Sequence, residues 1–74
     1  MPTPRVVQAV VRQRTSLAIE RIEANRLIDI AISSSSLDQE VEVHGRDRRT
    51  GRPVSAHLPV RDLLVPPEGF VAPA

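Results

Sequence analysis

Two short runs of alternating side chains frame this sequence. Glu40-Val41-Glu42-Val43-His44 and Val54-Ser55-Ala56-His57-Leu58 switch between polar and apolar at every residue. That is the period of a strand with one buried face. The segment between them, Gly45-Arg46-Asp47-Arg48-Arg49-Thr50-Gly51-Arg52-Pro53, is rich in turn residues. Together they predict a β-hairpin. A two-residue turn at Thr50-Gly51 pairs His44 with His57 and Val43 with Leu58; a wider turn is the alternative. Val41, Val43, Ala56 and Leu58 then share an apolar face, and Glu42, His44, Ser55 and His57 share a polar one. Pro53 fits only an edge strand or a strand start, because it lacks the amide donor. An isolated hairpin is marginal in water, so the remaining residues must cover its apolar face.

The cover comes from upstream. Arg5 to about Ile32 reads as helical, with Val7, Val10, Val11, Leu17, Ala18 and Ile22 on one stripe at helical spacing. Arg12, Ser16, Glu20 and Glu23 fall mostly opposite. Thr15-Ser16 is a point where the stretch can divide into two helices, since both residue types favour caps. In Leu27-Ile28-Asp29-Ile30-Ala31-Ile32 apolar side chains point all around a helix. That fits a helix buried on most sides, or a short strand with Ile28, Ile30 and Ile32 on one face; helix is the reading taken. Its apolar circumference exceeds what one hairpin covers. Ser33 to Ser36 form a polar connector. Val60 to Leu64, after Pro59, reads as one helical turn. Five of the seven prolines stand near the ends, so residues 1–4 and 66–74 are expected to be loosely ordered unless a partner holds them. The fold class is α+β: an N-terminal helix, or two, then a β-hairpin and a short C-terminal helical turn. Residues 1–74 make one small domain or a domain fragment.

Composition narrows the function classes. The chain has 74 residues, no Cys, no Trp, no Tyr and a single Phe. Its core must be aliphatic, and neither disulfides nor thiolate metal sites are open to it. A core of this size supplies only about 3–5 kcal/mol, which favours assembly with another chain or membership of a larger fold. Ten Arg against nine acidic residues leave a net charge of +1, no footprint for nucleic acid. No apolar run approaches a membrane span, and the first residues lack the regions of a secretory signal, so a cytoplasmic location is expected.

The chemical candidates are few. His44 and His57, with Glu42 on the same face, offer fewer ligands than zinc usually takes, and two solvent-facing histidines are expected instead. Arg46, Arg48, Arg49 and Arg52 cluster at the hairpin tip, where guanidinium forks reach phosphates, but Asp47 sits among them and no aromatic is near to stack a base. Catalysis has no Cys, Lys or Tyr to use, and the serine run has no paired His and acid beside it. The three glycines, Gly45, Gly51 and Gly69, are too scattered for a phosphate loop. No catalytic, cofactor-binding or metal residue is assigned, and the chain is not expected to be an enzyme.

The hairpin segment Glu40 to Pro53 resembles the bacterial actin homologue MreB, of the actin superfamily. That family carries a strand ending in Val, then Arg-Gly-Arg-Asp, two variable residues and Thr-Gly-Leu-Pro. Gly45, Arg46, Asp47, Thr50, Gly51 and Pro53 match it, while His44 replaces Arg and Arg52 replaces Leu. Upstream the family has a helix with an Ala-Glu-Arg-Ile-Lys signature, a short connector and an acidic strand start; downstream it has a strand and a short helix. The same order is read here, from roughly Val11 to Leu64. The resemblance implies part of the second domain of a two-domain ATPase that polymerises and directs cell shape. The full-length family binds ATP and Mg, but its phosphate loops lie in regions absent here. The signature lysine is replaced by Glu23 if Glu20-Arg21-Ile22 is aligned, or by Ile28 if Ala24-Asn25-Arg26-Leu27 is. No nucleotide contact carries over and no cofactor is expected. The resulting expectation is a truncated, noncatalytic MreB-like fragment acting by protein–protein contact, its apolar helix face around Leu27 to Ile32 docking onto a protein partner or its own copies. The alternatives are a small Arg-tipped nucleic-acid- or phosphate-binding module, or a nonfunctional gene relic.

Overall fold

The computed structural model describes residues 2–64, in the order α1 (Pro4–Thr15), β1 (Leu17–Ala18), α2 (Arg21–Ile32), β2 (Glu40–Asp47), β3 (Pro53–Pro59) and α3 (Val60–Leu64). The strands form an antiparallel sheet in the order β1-β2-β3. The fold is α+β, with two helices before the hairpin and a short helix after it. The expectation for residues 66–74 lies outside the described residues. Residues 3 and 4, read as part of a loose end, build the start of α1. Thr3 is its N-cap, accepting the Val6 amide on Oγ1 at 3.3 Å, and Pro4 takes the first turn, where its missing donor costs nothing.

The single stripe read from Val7 to Ile22 is corrected. Helix α1 ends at Ser16, which adopts φ 62 in the left-handed region and donates its amide to the Arg12 carbonyl at 2.9 Å. Thr15 Oγ1 holds this bend by donating to the Val11 carbonyl at 2.7 Å and accepting the Leu17 amide at 3.2 Å. Beyond it the chain is extended, and α2 restarts with its own phase. Leu17 is buried, but from a strand; Ala18 is exposed and Ile22 is 75% exposed. A non-glycine residue in this conformation costs about 1–2 kcal/mol, and glycine gives back roughly half of that in unfolded-chain entropy. Ser16→Gly is therefore expected to stabilise the protein slightly, by about 0.5 kcal/mol, a rise of about 2–4 °C in Tm by calorimetry.

The core answers how α2 is covered. Val7, Val10 and Val11 of α1, Ala24, Leu27, Ile28 and Ala31 of α2, Val41 and Val43 of β2, Leu58 of β3, and Val60 and Leu63 of α3 are all buried, with Leu17 and Ile19. Helix α2 packs against α1, α3 and β2 together, so three neighbours share the apolar circumference that one hairpin cannot cover. Among the apolar side chains of Leu27 to Ile32 only Ile32, at the last position, is left exposed, at 54%, so this face is spent inside the chain and is not the docking surface expected of it. The serine connector begins by closing α2: Ser33 Oγ donates to the Asp29 carbonyl at 2.8 Å.

The hairpin register differs from the expected one by two residues. His44 pairs with Ser55, Val43 with Ala56 and Val41 with Leu58. The cause is Asp47. Its Oδ1 accepts the amides of Arg49 at 2.7 Å and Thr50 at 3.2 Å, and its carbonyl accepts the Gly51 amide at 2.8 Å. These bonds wind four residues, Arg48 to Gly51, into the turn, with Gly51 at φ 74. A slip of two preserves which side each residue faces. Val41, Val43 and Leu58 are accordingly buried, Ala56 is half-buried, and Glu42, His44, Ser55 and His57 are exposed, as the alternation predicts. Asp47 and Arg52 close the ladder, so Pro53 and Pro59 fall at alternate positions whose amides would point away from β2. Their missing donors cost the ladder nothing and blunt the free edge of β3.

Candidate functional site

Each residue that carries the family resemblance has a local task in the hairpin. Asp47 and Gly51 wind the turn, as above. Arg46 Nη1 donates to the Gly51 carbonyl at 3.0 Å, and Thr50 Oγ1 accepts the Arg52 amide at 3.3 Å. Gly45 lets β1 approach: a Cβ there would stand 2.9 Å from the Ala18 carbonyl oxygen and 3.1 Å from Leu17 Cβ. The turn holds Arg48, Arg49 and Arg52 exposed at the tip, and none of the three makes an ion pair among the described residues.

Strand β1 is only two residues long, opposite Arg46 and Asp47. Past it, the Glu42 carbonyl and His44 amide point off the edge of β2 with no strand to meet them. Two side chains of α2 take its place. Glu23 Oε2 accepts the His44 amide at 2.9 Å, and Arg26 Nη2 donates to the Glu42 carbonyl at 2.9 Å. Glu23 and Arg26 also bond each other twice, at 2.7 and 2.6 Å. The pair thus acts as a side-chain substitute for an edge strand. No pattern in the sequence points to it except the three-residue spacing of an acid and a base on a helix.

The Arg26 hydrogen bond holds the Glu23 carboxyl below its ordinary value of 4.5; burial opposes this, and the His44 amide adds to the lowering. The Glu23 side chain is 13% exposed but that of Arg26 is 41% exposed, so solvent screens part of the gain. A depressed carboxyl contributes stability that is complete above its unfolded pKa and is lost as pH falls through its folded one. Glu23→Gln is expected to cost about 1 kcal/mol at pH 7. It should also flatten the loss of stability below about pH 4.5, read from urea melts at successive pH values.

On the solvent face of the sheet the structure assembles a group that sequence order hides. His44 Nδ1 lies 3.3 Å from Ser55 Oγ, and His44 Nε2 lies 3.3 Å from Glu42 Oε1. Ser55 and His44 are cross-strand neighbours, and Glu42 lies two residues along β2. The order is that of a serine–histidine–acid relay, but the His44 and Glu42 side chains are 56% and 53% exposed. Acyl transfer draws on donors fixed around a developing oxyanion in a site that excludes water, and this group lies open on a flat strand surface. His57 stands opposite Glu42, diagonal to His44 rather than across from it. Among the described residues no three His, Asp or Glu side chains gather so as to hold a metal ion, and no helix is long and apolar enough to cross a membrane.

Beside the Glu23–Arg26 pair lies a mainly apolar cleft of about 410 Å³, where Ala18, Ile19, Ile22, Gly45 and Pro53 meet Arg46. Ile22, in the first turn of α2, is the most exposed large apolar side chain among the described residues. Compared with known proteins, the chain matches no family model and no curated protein.

Proposed function

We propose that this chain is a noncatalytic, actin- and MreB-like cytoskeletal unit of the cytoplasm that acts by protein–protein association, either with its own copies or with a full-length family member. The observation that carries the reading is the hairpin. The residues shared with the MreB motif stand at its tip, between a helix with a serine connector upstream and a strand with a short helix downstream. The surface assigned to association is the cleft at Ile22, because an isoleucine 75% exposed beside Ala18 and Pro53 gains most from being covered. No cofactor is assigned. The acid and hydrophobe at the candidate lysine positions, Glu23 and Ile28, are committed to the sheet edge and to the core.

Ile22→Ser tests this surface. The side chain makes little of the core, so the variant is expected to keep its far-UV circular dichroism and its stability within about 0.5 kcal/mol. Its sedimentation coefficient should stop rising with concentration, whereas that of the wild type should rise. Equal concentration dependence in the two proteins removes the cleft from the reading.

A further inference from the structure

We propose, building on the protein-association reading, that a second cleft binds an acidic peptide segment of a protein partner. This cleft, of about 400 Å³, lies between the hairpin tip and the turn from α1 into β1, and is lined by Thr15, Ser16, Leu17, Asp47, Arg48 and Arg49. Four arginines gather at the tip against one carboxylate, in a chain whose net charge is only +1. Arg46 is spent on the Gly51 carbonyl. Arg48 and Arg49 reach the cleft and make no ion pair among the described residues. The buried Leu17 gives the floor an apolar part.

The turn's own hydrogen bonds select among anions. Phosphate sites are commonly cradled by a run of free backbone amides. Here the amides of Arg49 and Thr50 go to Asp47 Oδ1, that of Gly51 to the Asp47 carbonyl, and that of Arg52 to Thr50 Oγ1. With these amides spent, the turn offers a ligand the Arg48 amide and chiefly the pair of guanidinium forks, whose geometry suits carboxylates two oxygens at a time. Nucleic acid would want aromatic platforms, and no aromatic lines the cleft. The fitting ligand is a segment with consecutive Asp or Glu side chains.

The test is fluorescence anisotropy of fluorescein-labelled deca-glutamate titrated with the whole protein. Saturable binding is expected, weakening as salt screens the charges. Arg48→Ser/Arg49→Ser should weaken it about tenfold, the equivalent of two exposed ion pairs. Arg5→Ser/Arg21→Ser removes the same charge beside the start of α1 and should leave the affinity unchanged. All proteins should share one circular dichroism spectrum. Three results overturn the proposal: no saturable binding by the wild type, an equal loss in the control variant, or tighter binding of a labelled decathymidylate than of deca-glutamate. The last would assign the tip to nucleic acid. A wild type that associates in sedimentation but ignores deca-glutamate overturns this proposal alone. A chain that binds deca-glutamate but neither self-associates nor joins a family member overturns the association reading alone.

Discussion

Leu27→Ala is expected to leave most of the chain unfolded at 25 °C. Leu27 is fully buried on α2, in the cluster to which α1, α3 and the sheet all contribute. Truncating such a leucine costs about 2–5 kcal/mol, the upper part of the range applying where neighbours cannot collapse into the space. The cluster around it includes the β-branched Val7, Val11, Val41, Val43 and Val60, whose side chains are stiff. A domain of this length holds only about 3–5 kcal/mol in total. The upper part of the truncation cost matches or exceeds the whole stability, so the helical signal at 222 nm should fall towards that of the denatured chain. Urea titration of the wild type, extrapolated to water, supplies the reference. A variant that keeps a native spectrum and loses under about 1 kcal/mol would mean that the α2 core position is wrongly assigned.

The second large effect is expected at Gly45. A side chain there meets the Ala18 carbonyl at 2.9 Å, and backbone cannot swing away as a flexible side chain can. Gly45→Val should force β1 from β2 and loosen Leu17 and Ile19, both buried in the core. Overpacking of this kind costs about 1–3 kcal/mol, and the better strand propensity of valine returns at most about 1 kcal/mol. A net loss of about 2 kcal/mol, with faster hydrogen exchange of the Asp47 region than of Val41 to Val43, is the expected result. Uniform protection along β2 would mean that β1 is not the element displaced.

The parts of the fold that local chemistry dictates were legible. Period-two alternation placed Val41, Val43 and Leu58 in the core and Glu42, His44 and His57 outside, and this survived an error of two residues in register because a two-residue slip keeps every face. The helical nature of Leu27 to Ile32 was readable. So was the polar role of the serines, the first of which, Ser33, caps α2. The four-residue turn carries its own signal in the sequence: an Asp followed by Thr-Gly three and four residues on, where the carboxylate takes the turn amides and glycine takes the positive φ. Thr3-Pro4 likewise had the cap signature of a helix start.

What was not legible depends on contacts distant in sequence. Strand β1 has two residues and no period to detect. Thr15-Ser16 is where the sequence allows two helices, and α1 does end there, but the left-handed conformation of Ser16, ordinarily one for glycine or asparagine, and the new phase of α2 beyond it are not readable from the stripe. The Glu23–Arg26 pair reaches 16 to 21 residues along the chain to bond β2. The Ser55–His44–Glu42 contact exists only once the register is known.

The most direct test of the association reading is sedimentation velocity on the purified chain across a dilution series, with circular dichroism at each step and a parallel series containing a full-length MreB-family protein. Because the core closes within one chain, helicity should hold constant on dilution. Mass should fall from oligomer to monomer, or the chain should travel with the full-length protein. A helical monomer at every concentration that also fails to travel with the family member would contradict the account.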